Sequence, residues 1–172
     1  VLNWGDLGAK QRRIEITGGY APQAQIGEEQ DRIEIKEHFF QEFRETIQEG
    51  DKKAISIAAG DMNARIMDNT GYEEVCGPFF HKTGKGMEEQ SHETRDNRDL
   101  FLNFCNNLGL FIINSMNNTK NKEKVTYFGI TNTKDKVTTV ETGNPNLNTQ
   151  RTHDQRDYIM INKSNKHKII RT

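Results

Sequence analysis

The pattern of apolar and polar residues predicts strands and helices that alternate along the first third of the chain. Residues 12–20 alternate with a period of two, which is typical of a half-buried strand. Between residues 28 and 48 the apolar positions recur at steps of three, four and seven, which predicts an amphipathic helix that Gly50 ends. A short apolar strand follows at 52–59. Strand, helix and strand in this order indicate a crossover unit with its helix packed on a sheet.

The remaining two thirds of the chain continue the mixed pattern less regularly. A second amphipathic helix is predicted at 97–108, and a short strand follows at 110–113. Strand signals return at 125–128 and 157–161. Residues 68–93 contain several Gly residues and one Pro without a sustained period, so we expect a long surface loop there.

Length and composition favour one domain with a modest core. The 172 residues suffice for a single ordinary domain, and an apolar content of 33% predicts many polar loops around the core. The net charge of -1 provides no global field to attract a polyanion, so contact with a nucleic acid would depend on local basic patches. Lysine clusters around 120–136 and 163–171 could form such patches, but solvated lysine loops are the commoner explanation, and the near-zero net charge supports it.

Cysteine usage and hydropathy favour an intracellular setting. Cys76 and Cys105 are far apart and form no CxxC pair, and no apolar leader or membrane-spanning stretch is visible in the sequence. We therefore expect a reduced environment and no membrane partner. The chain starts at Val1 and stops just as a strand begins near Ile170, so we expect it to be part of a longer parent protein.

The segment that follows the strand at 52–59 is the first candidate for chemistry. Asp61 and Asn63 would share one side if the segment stays extended, because side chains two residues apart lie on the same face of a strand. A carboxylate and an amide oxygen suit a hard cation such as Mg²⁺. The alternative is a simple turn, which Asp and Asn also favour after strands.

Four short motifs end, form or open predicted strands, and together they are more specific than any one of them. They are Tyr-Ala-Pro-Gln at 20–23, Gly-Asp-Met-Asn-Ala-Arg at 60–65, Val-Thr-Tyr-Phe at 125–128 and Gln-Arg-Asp-Tyr-Ile at 155–159. In this order and spacing the chain resembles the endonuclease/exonuclease/phosphatase superfamily. More narrowly, it resembles the apurinic-type endonuclease domain of non-LTR retrotransposons and the related craniofacial development protein 2-like proteins.

The resemblance implies a fold and a domain organisation. The fold would be an α/β sandwich of four layers, in which two mixed sheets face each other and helices flank them. Residues 1–172 would form one such domain, which lacks its N-terminal strands and its C-terminal strand.

The resemblance also implies a Mg²⁺-dependent (or Mn²⁺-dependent) phosphodiesterase that nicks DNA. Tyr20 would approach the scissile phosphate, Asp61 would position or activate the attacking water, and Asn63 would donate to phosphate oxygens. Asp61 and Asn63 would form a partial metal site. Asp157 would accept a hydrogen bond from a catalytic histidine and fix its tautomer.

Three further residues match positions near the substrate in the family, and they are Arg65, Asn97 and Thr126. Each site residue also has a simpler interpretation. Tyr20 could be an amphipathic core edge, Thr126 could reflect β-propensity alone, and Asp157 could form a surface ion pair with Arg156.

Several family features have no counterpart in the sequence. Only 19 residues precede Tyr20, and none of them matches the metal-binding Glu motif of the family. No histidine lies in a Ser-Asp-His context. Met62 replaces the usual aromatic residue, and glycines at 18–19 replace apolar residues and would weaken that strand.

The sequence therefore predicts part of a retroelement-type DNA endonuclease that, alone, cleaves DNA inefficiently. DNA is the expected partner of the intact parent, which would be nuclear, with a reverse transcriptase following in the same chain and without a small-molecule cofactor. Two alternatives stay open: a decayed fragment that binds nucleic acid or another partner without catalysis, and a phosphatase of lipid or nucleotide substrates.

Overall fold

A five-stranded mixed sheet forms the centre of the protein. The structure is a computed structural model that describes residues 2–3, 13–23, 26–28, 31–51, 54–81, 91–118, 120–132 and 149–168. The strands are β1 (Leu2–Asn3), β2 (Arg13–Tyr20), β3 (Ile55–Asp61), β4 (Leu110–Ile112), β5 (Tyr127–Asn132), β6 (Thr149–Asp154) and β7 (Asp157–Asn162). The helices are α1 (Arg32–Gln48) and α2 (His92–Asn107), with short 3₁₀ turns at Ile113–Ser115, Asn121–Lys124 and Lys163–Lys168.

The strand order in this sheet is β1-β2-β3-β7-β4. β2 and β3 are parallel and α1 connects them, so the predicted crossover unit is confirmed. β7 runs antiparallel to both of its neighbours, and β1 runs antiparallel to β2. The last strand of the chain, β7, therefore lies between β3 and β4.

A separate two-stranded sheet is formed by the hairpin of β5 and β6. The structure confirms the mixed α/β class, with helices packed on a mixed sheet. It does not confirm the predicted arrangement of two facing sheets in four layers. No helix among the described residues is long and apolar enough to cross a membrane.

The core lies between the central sheet and the two helices. The rings of Phe43 and Phe104 stack at 5.4 Å between centroids, and Phe40 lies 5.2 Å from Phe104. Phe101 of α2 packs at 5.1 Å against Tyr158 of β7. These contacts join both helices to one face of the sheet, and offset or tilted ring pairs of this kind add to the free energy of burial.

The other face of the sheet carries apolar side chains that stay exposed. Ile16 on β2 and Ile159 on β7 are 59% and 46% exposed, and the strand register puts both on the face that points away from the helices. The sheet is therefore packed on one side by α1 and α2, while apolar residues on its other side remain accessible to water.

The prediction of a surface loop at 68–93 is wrong for its first half. Val75, Cys76 and Phe80 are almost completely buried, and Cys76 forms a parallel bridge with Ile112 of β4. The sequence shows no apolar period here, because these buried residues lie on irregular backbone and not in a helix or strand. Residues 82–90 lie outside the described part of the chain.

Both helices differ from prediction at their N-termini. α1 begins at Arg32 rather than at residue 28, and α2 begins at His92, five residues before the predicted start. Ser91 caps α2 by accepting a hydrogen bond from the Thr94 backbone N–H at 3.4 Å. The apolar period could not reveal this first turn, because its residues are polar.

Candidate functional site

Three predicted site residues lie side by side across three adjacent strands. In the register of the central sheet, Tyr20 is paired with Asp61, and Asp61 is paired with Asp157. Directly paired residues in neighbouring strands have side chains on the same face. The end of β2, the end of β3 and the start of β7 therefore present a phenol and two carboxylates in one row, which we call the Tyr-Asp-Asp row. Tyr20 is 65% exposed, so its hydroxyl is accessible to a ligand.

The backbone after Asp61 turns instead of staying extended. Asn63 has a φ of 45°, and its backbone N–H donates to the Asp61 carboxylate at 2.8 Å. This is the local turn that Asp and Asn favour, so the condition for Asp61 and Asn63 to share a strand face is not met. The flanking Met62 and Ala64 are fully buried, which agrees with the interpretation of Met62 as a core residue.

The side chain of Asn63 is held beneath this row by two hydrogen bonds. Its Nδ2 donates to the Ala21 carbonyl at 2.6 Å, and its Oδ1 accepts from Arg156 Nη1 at 3.3 Å. Because only 7% of Asn63 is exposed, these contacts fix the orientation of the amide. One Nδ2 proton remains for a further acceptor, since a primary amide has two.

Asn97 of α2 holds the same turn by hydrogen bonds from the helix side of the sheet. It is buried, and its Nδ2 donates to the carbonyls of Asn63 at 2.9 Å and of Pro22 at 3.2 Å. Asn97 therefore joins the ends of β2 and β3, and its described contacts are with backbone beneath the site rather than with the exposed face. Its predicted contact with substrate stays a prediction.

Thr126 connects the hairpin of β5 and β6 to the start of β7. Its Oγ1 accepts from the backbone N–H of Arg156 at 2.9 Å and of Asp157 at 3.1 Å. The side chain of Asn114 contacts the same strand, donating from Nδ2 to the Asp157 carbonyl at 3.0 Å. Thr126 thus lies beside the Tyr-Asp-Asp row, where its hydroxyl fixes the backbone that carries Asp157.

The sequence reasoning did not identify Asp154 as part of the site. This residue ends β6 and is only 2% exposed, and its Oδ2 accepts from Arg65 Nη2 at 2.5 Å and from Arg156 Nη2 at 3.3 Å. Arg156 therefore pairs with Asp154, whereas the sequence alone suggests a surface ion pair with Asp157. β6 gives only a weak strand signal in a polar stretch, so no period in the sequence could have located this carboxylate.

The environment of Asp61 raises the pKa of its carboxyl. Burial raises the pKa of this carboxyl above its usual value, and the neighbouring Asp157 carboxylate contributes in the same direction. The hydrogen bond from the Asn63 backbone and the charge of Arg156 act in the opposite direction and do not cancel the effect. A carboxylate with a raised pKa accepts a proton more readily than an ordinary one, which suits a general base.

We expect Asp61→Asn to stabilise the protein at neutral pH. The folded state binds the Asp61 proton more tightly than the unfolded state does, so the wild-type protein loses stability as pH rises from the ordinary carboxyl pKa through the raised one. Asparagine keeps an oxygen for the Asn63 N–H but has no charge to desolvate. Thermal melts across the acidic range should show a gain that is absent below the ordinary carboxyl pKa and grows above it.

Glu37→Gln removes one negative charge from an exposed position on α1 and serves as the control for that comparison. A gain for Asp61→Asn that is the same at every pH would contradict the assignment of the effect to the Asp61 charge.

The oxygens of this site fit a hard cation in part. Asp61 and Asp157 are neighbouring carboxylates, and such oxygens are the ligands that Mg²⁺ prefers. The Oδ1 of Asn63 accepts from a guanidinium, so a metal bound there would have to displace Arg156. Within the described ranges, no group of three or more His, Cys, Asp or Glu residues is arranged to hold a metal ion.

Part of the first predicted basic patch flanks Thr126. Lys120 and Lys122 are exposed on the 3₁₀ turn before β5, and the Lys124 ammonium lies 5.7 Å from the Phe79 ring centre. Lys134 and Lys136 lie outside the described residues. In the second patch, Lys166 contacts the Phe111 ring at 3.7 Å. The described part of this patch, at 163–168, lies beyond β7, at the opposite end of that strand from Asp157, and 169–171 lie outside the described residues.

Comparisons of the chain with models of known protein families, with curated proteins and with solved structures find no match.

Proposed function

We propose that this chain contributes to the hydrolysis of DNA phosphodiester bonds with Mg²⁺ or Mn²⁺, as part of a retroelement-type endonuclease. The observation that carries the proposal is the Tyr-Asp-Asp row, because three residues selected from separate motifs are paired across three strands. A nuclear parent protein that also carries a reverse transcriptase follows from the same resemblance.

Tyr20 and Asp61 of the row each have a proposed role that their geometry supports. Tyr20 is accessible and donates its hydroxyl proton to a phosphate oxygen. Asp61 orients the attacking water and accepts its proton, and its raised pKa supports this role. Asn63 lies beneath the row and is 7% exposed, so its proposed donation to the phosphate oxygens, where negative charge increases in the transition state, requires its side chain to reorient.

Asp157 has a different role in the proposal. It accepts from the ring of a histidine, and the contacts of Thr126 and Asn114 hold its backbone in position for that task. The histidine itself stays a prediction.

Asp61 would hold the metal through its carboxylate, with the Asn63 oxygen as the second predicted ligand. A bound divalent cation would supply positive charge against the developing charge of the phosphate. The 172 residues contain no counterpart of the family's metal-binding Glu motif or of its Asp-His pair. We therefore propose that they cleave natural DNA slowly, since the loss of such groups typically costs orders of magnitude in rate.

An activated diester directly tests the catalytic residues that the chain does contain. Bis(p-nitrophenyl) phosphate has a leaving group that needs no proton, so its hydrolysis depends less on the groups that the chain lacks. We expect p-nitrophenolate release that requires Mg²⁺, stops with chelator and falls about 100-fold in Asp61→Asn. Glu37→Gln removes the same charge far from the site and should hydrolyse the diester at the wild-type rate.

Hydrolysis of a monoester and DNA binding distinguish the proposed diesterase from the phosphatase and the non-catalytic fragment. Faster hydrolysis of the monoester p-nitrophenyl phosphate than of the diester would favour a phosphatase. Absence of turnover on both substrates, with DNA binding retained, would favour a binding fragment without catalysis. Hydrolysis that is equal in Asp61→Asn and wild type would contradict the proposed role of Asp61.

A further inference from the structure

The hydrogen bonds between the backbones of β2 and β3 stop just beyond the Tyr-Asp-Asp row. The Ala21 N–H still donates to the Asp61 carbonyl at 2.8 Å. The segment after β2 then continues with Pro22, which has no N–H, and the segment after β3 turns at Asn63, where φ is 45°. Among the described residues, the hydrogen bonds that connect these two segments beyond this point are all donated by side chains.

Asn97 of α2 provides two of these bonds. Its Nδ2 donates to the Asn63 carbonyl at 2.9 Å and to the Pro22 carbonyl at 3.2 Å, which uses both of its protons. Each acceptor lies two residues after a member of the row, since Pro22 follows Tyr20 and Asn63 follows Asp61 at that interval. One buried amide therefore spans the two segments that follow the exposed phenol and its neighbouring carboxylate.

The side chain of Asn63 makes the other connection, from its Nδ2 to the Ala21 carbonyl at 2.6 Å. The proposed donation of Asn63 to a phosphate requires this side chain to reorient, which breaks the bond to Ala21. The bonds of Asn97 do not depend on that side chain, because Asn97 binds the backbone carbonyl of Asn63. Asn97 therefore still joins the two segments when the Asn63 side chain is directed to a phosphate.

The amide of Asn97 also has a destabilising feature. The residue is 3% exposed, and its Oδ1 has no hydrogen-bond partner among the residues that the structure describes. A buried acceptor without a partner is unfavourable. An apolar side chain would avoid this loss but would leave the two carbonyls without their donor, so the two bonds to the strand ends explain the residue type.

We propose that Asn97 is a positioning residue, which fixes the separation of Tyr20 and Asp61 by holding together the segments that follow them. Tyr20 is the last residue of β2 and is exposed, so little packing holds its side chain. Misplacement of a catalytic group by about 1 Å is enough to reduce a rate strongly. The inference rests on the proposed function for its reaction, but the order of the two segments can be measured without catalysis.

Asn97→Ala removes both bonds and suits the helix, because alanine has the higher helix propensity. In the bis(p-nitrophenyl) phosphate assay with Mg²⁺ we expect kcat to fall about tenfold while KM stays near the wild-type value. This split is expected because Asn97 acts through Tyr20 and Asp61 and not on the substrate. The assay is run at a temperature at which melting curves show that the variant is folded.

Leu108→Ala is the control for a loss of stability alone. Leu108 lies at the other end of α2 and packs, partly buried, against the core. Truncation of this side chain should therefore destabilise the protein but leave kcat at the wild-type value.

Backbone NMR relaxation measures the order of the strand ends without substrate. An order parameter of about 0.85 is typical of rigid backbone. We expect such values for the Tyr20 and Asp61 N–H groups in the wild-type chain and in Leu108→Ala, and lower values in Asn97→Ala, where no amide from α2 joins the two segments.

Two results of the kinetic comparison overturn the positioning role. A rise in KM with unchanged kcat assigns Asn97 to substrate binding, and an equal loss of kcat in Leu108→Ala assigns the effect to stability. If Asn97→Ala does not fold, Asn97→Ser replaces it, since its hydroxyl keeps one donor, and the same split between kcat and KM is expected. Rapid solvent exchange of the Asn97 side-chain amide protons in the wild-type chain overturns the proposal whether or not the variants fold.

The relaxation measurement distinguishes a failure of this inference from a failure of the proposed function. Disordered strand ends in Asn97→Ala, with no diester hydrolysis by the wild-type chain, support the role of Asn97 in holding the two segments while the proposed function fails. Rigid strand ends in Asn97→Ala, with wild-type hydrolysis that requires Asp61, overturn this inference and leave the proposed function in place.

Discussion

Gly60→Ala is expected to destabilise the protein by about 3 kcal/mol or more, because the added methyl group has no space and the backbone conformation is unsuitable. A Cβ at Gly60 would lie 1.8 Å from the carbonyl oxygen of Gly19 on the paired strand. The φ of Gly60 is also 153°, which side chains rarely adopt. The clash is with backbone atoms and cannot be relieved by rotating a side chain, so β2 and β3 would have to separate next to Tyr20 and Asp61.

Gly18→Ala is a matched control, because Gly18 lies in the paired strand β2, next to Gly19, and a Cβ there meets no atom within 4 Å. We expect this variant to be as stable as wild type or slightly more stable, since alanine reduces the freedom of the unfolded chain. Chemical denaturation of both variants provides the measurement. Equal unfolding free energies for Gly60→Ala and wild type would contradict the close approach of β2 and β3, and with it the pairing of Tyr20 with Asp61.

Tyr158→Phe is expected to cost about 2 to 4 kcal/mol, since it leaves several buried polar groups without a partner. The Tyr158 hydroxyl lies 3.0 Å from the carbonyl oxygen of Ala64 and 2.9 Å from that of Gln155, and it accepts from the Ile66 N–H at 3.3 Å. This buried hydroxyl connects the segment after Asn63 with the turn before β7. Its loss should loosen the two segments that carry Arg65 and Arg156.

Tyr72→Phe provides the control, because the Tyr72 hydroxyl bonds to Asn103 at an exposed position. Such a surface bond contributes little, so we expect a change within about 0.5 kcal/mol. Denaturant melts would show the difference between the two variants, and duplex binding would show its effect on the site. Equal stability losses in both variants would be inconsistent with a buried network at Tyr158.

The predicted elements with a clear apolar period are present in the structure. The helix at 28–48 and the strands at 12–20 and 52–59 correspond to α1, β2 and β3, within a few residues at each end. Their periodicity is local and follows from which face is buried, so it can be read without tertiary information. The glycines at 18–19 do not interrupt β2, and the Gly19 position accommodates the ring of Phe43.

Elements without such a period were missed or misplaced. β6 lies in a polar stretch, and the buried residues of the segment at 68–81 follow irregular backbone. Their positions depend on contacts with β4 and with the turn before β7, which are distant in sequence. Periodicity contains no information about such contacts.

The candidate site was likewise predictable from the sequence only in part. The sequence by itself determined which phenol and carboxylate side chains lie at the ends of strands, because strand ends are marked by local turn and period signals. These residues are Tyr20, Asp61 and Asp157. Only the tertiary structure decided that these three residues are paired, since parallel and antiparallel register depends on how distant strands meet. It also decided that Asn63 turns inward and that a buried Asp154 holds two arginines beside it, because hydrogen bonds between distant segments leave no periodic signal in the sequence.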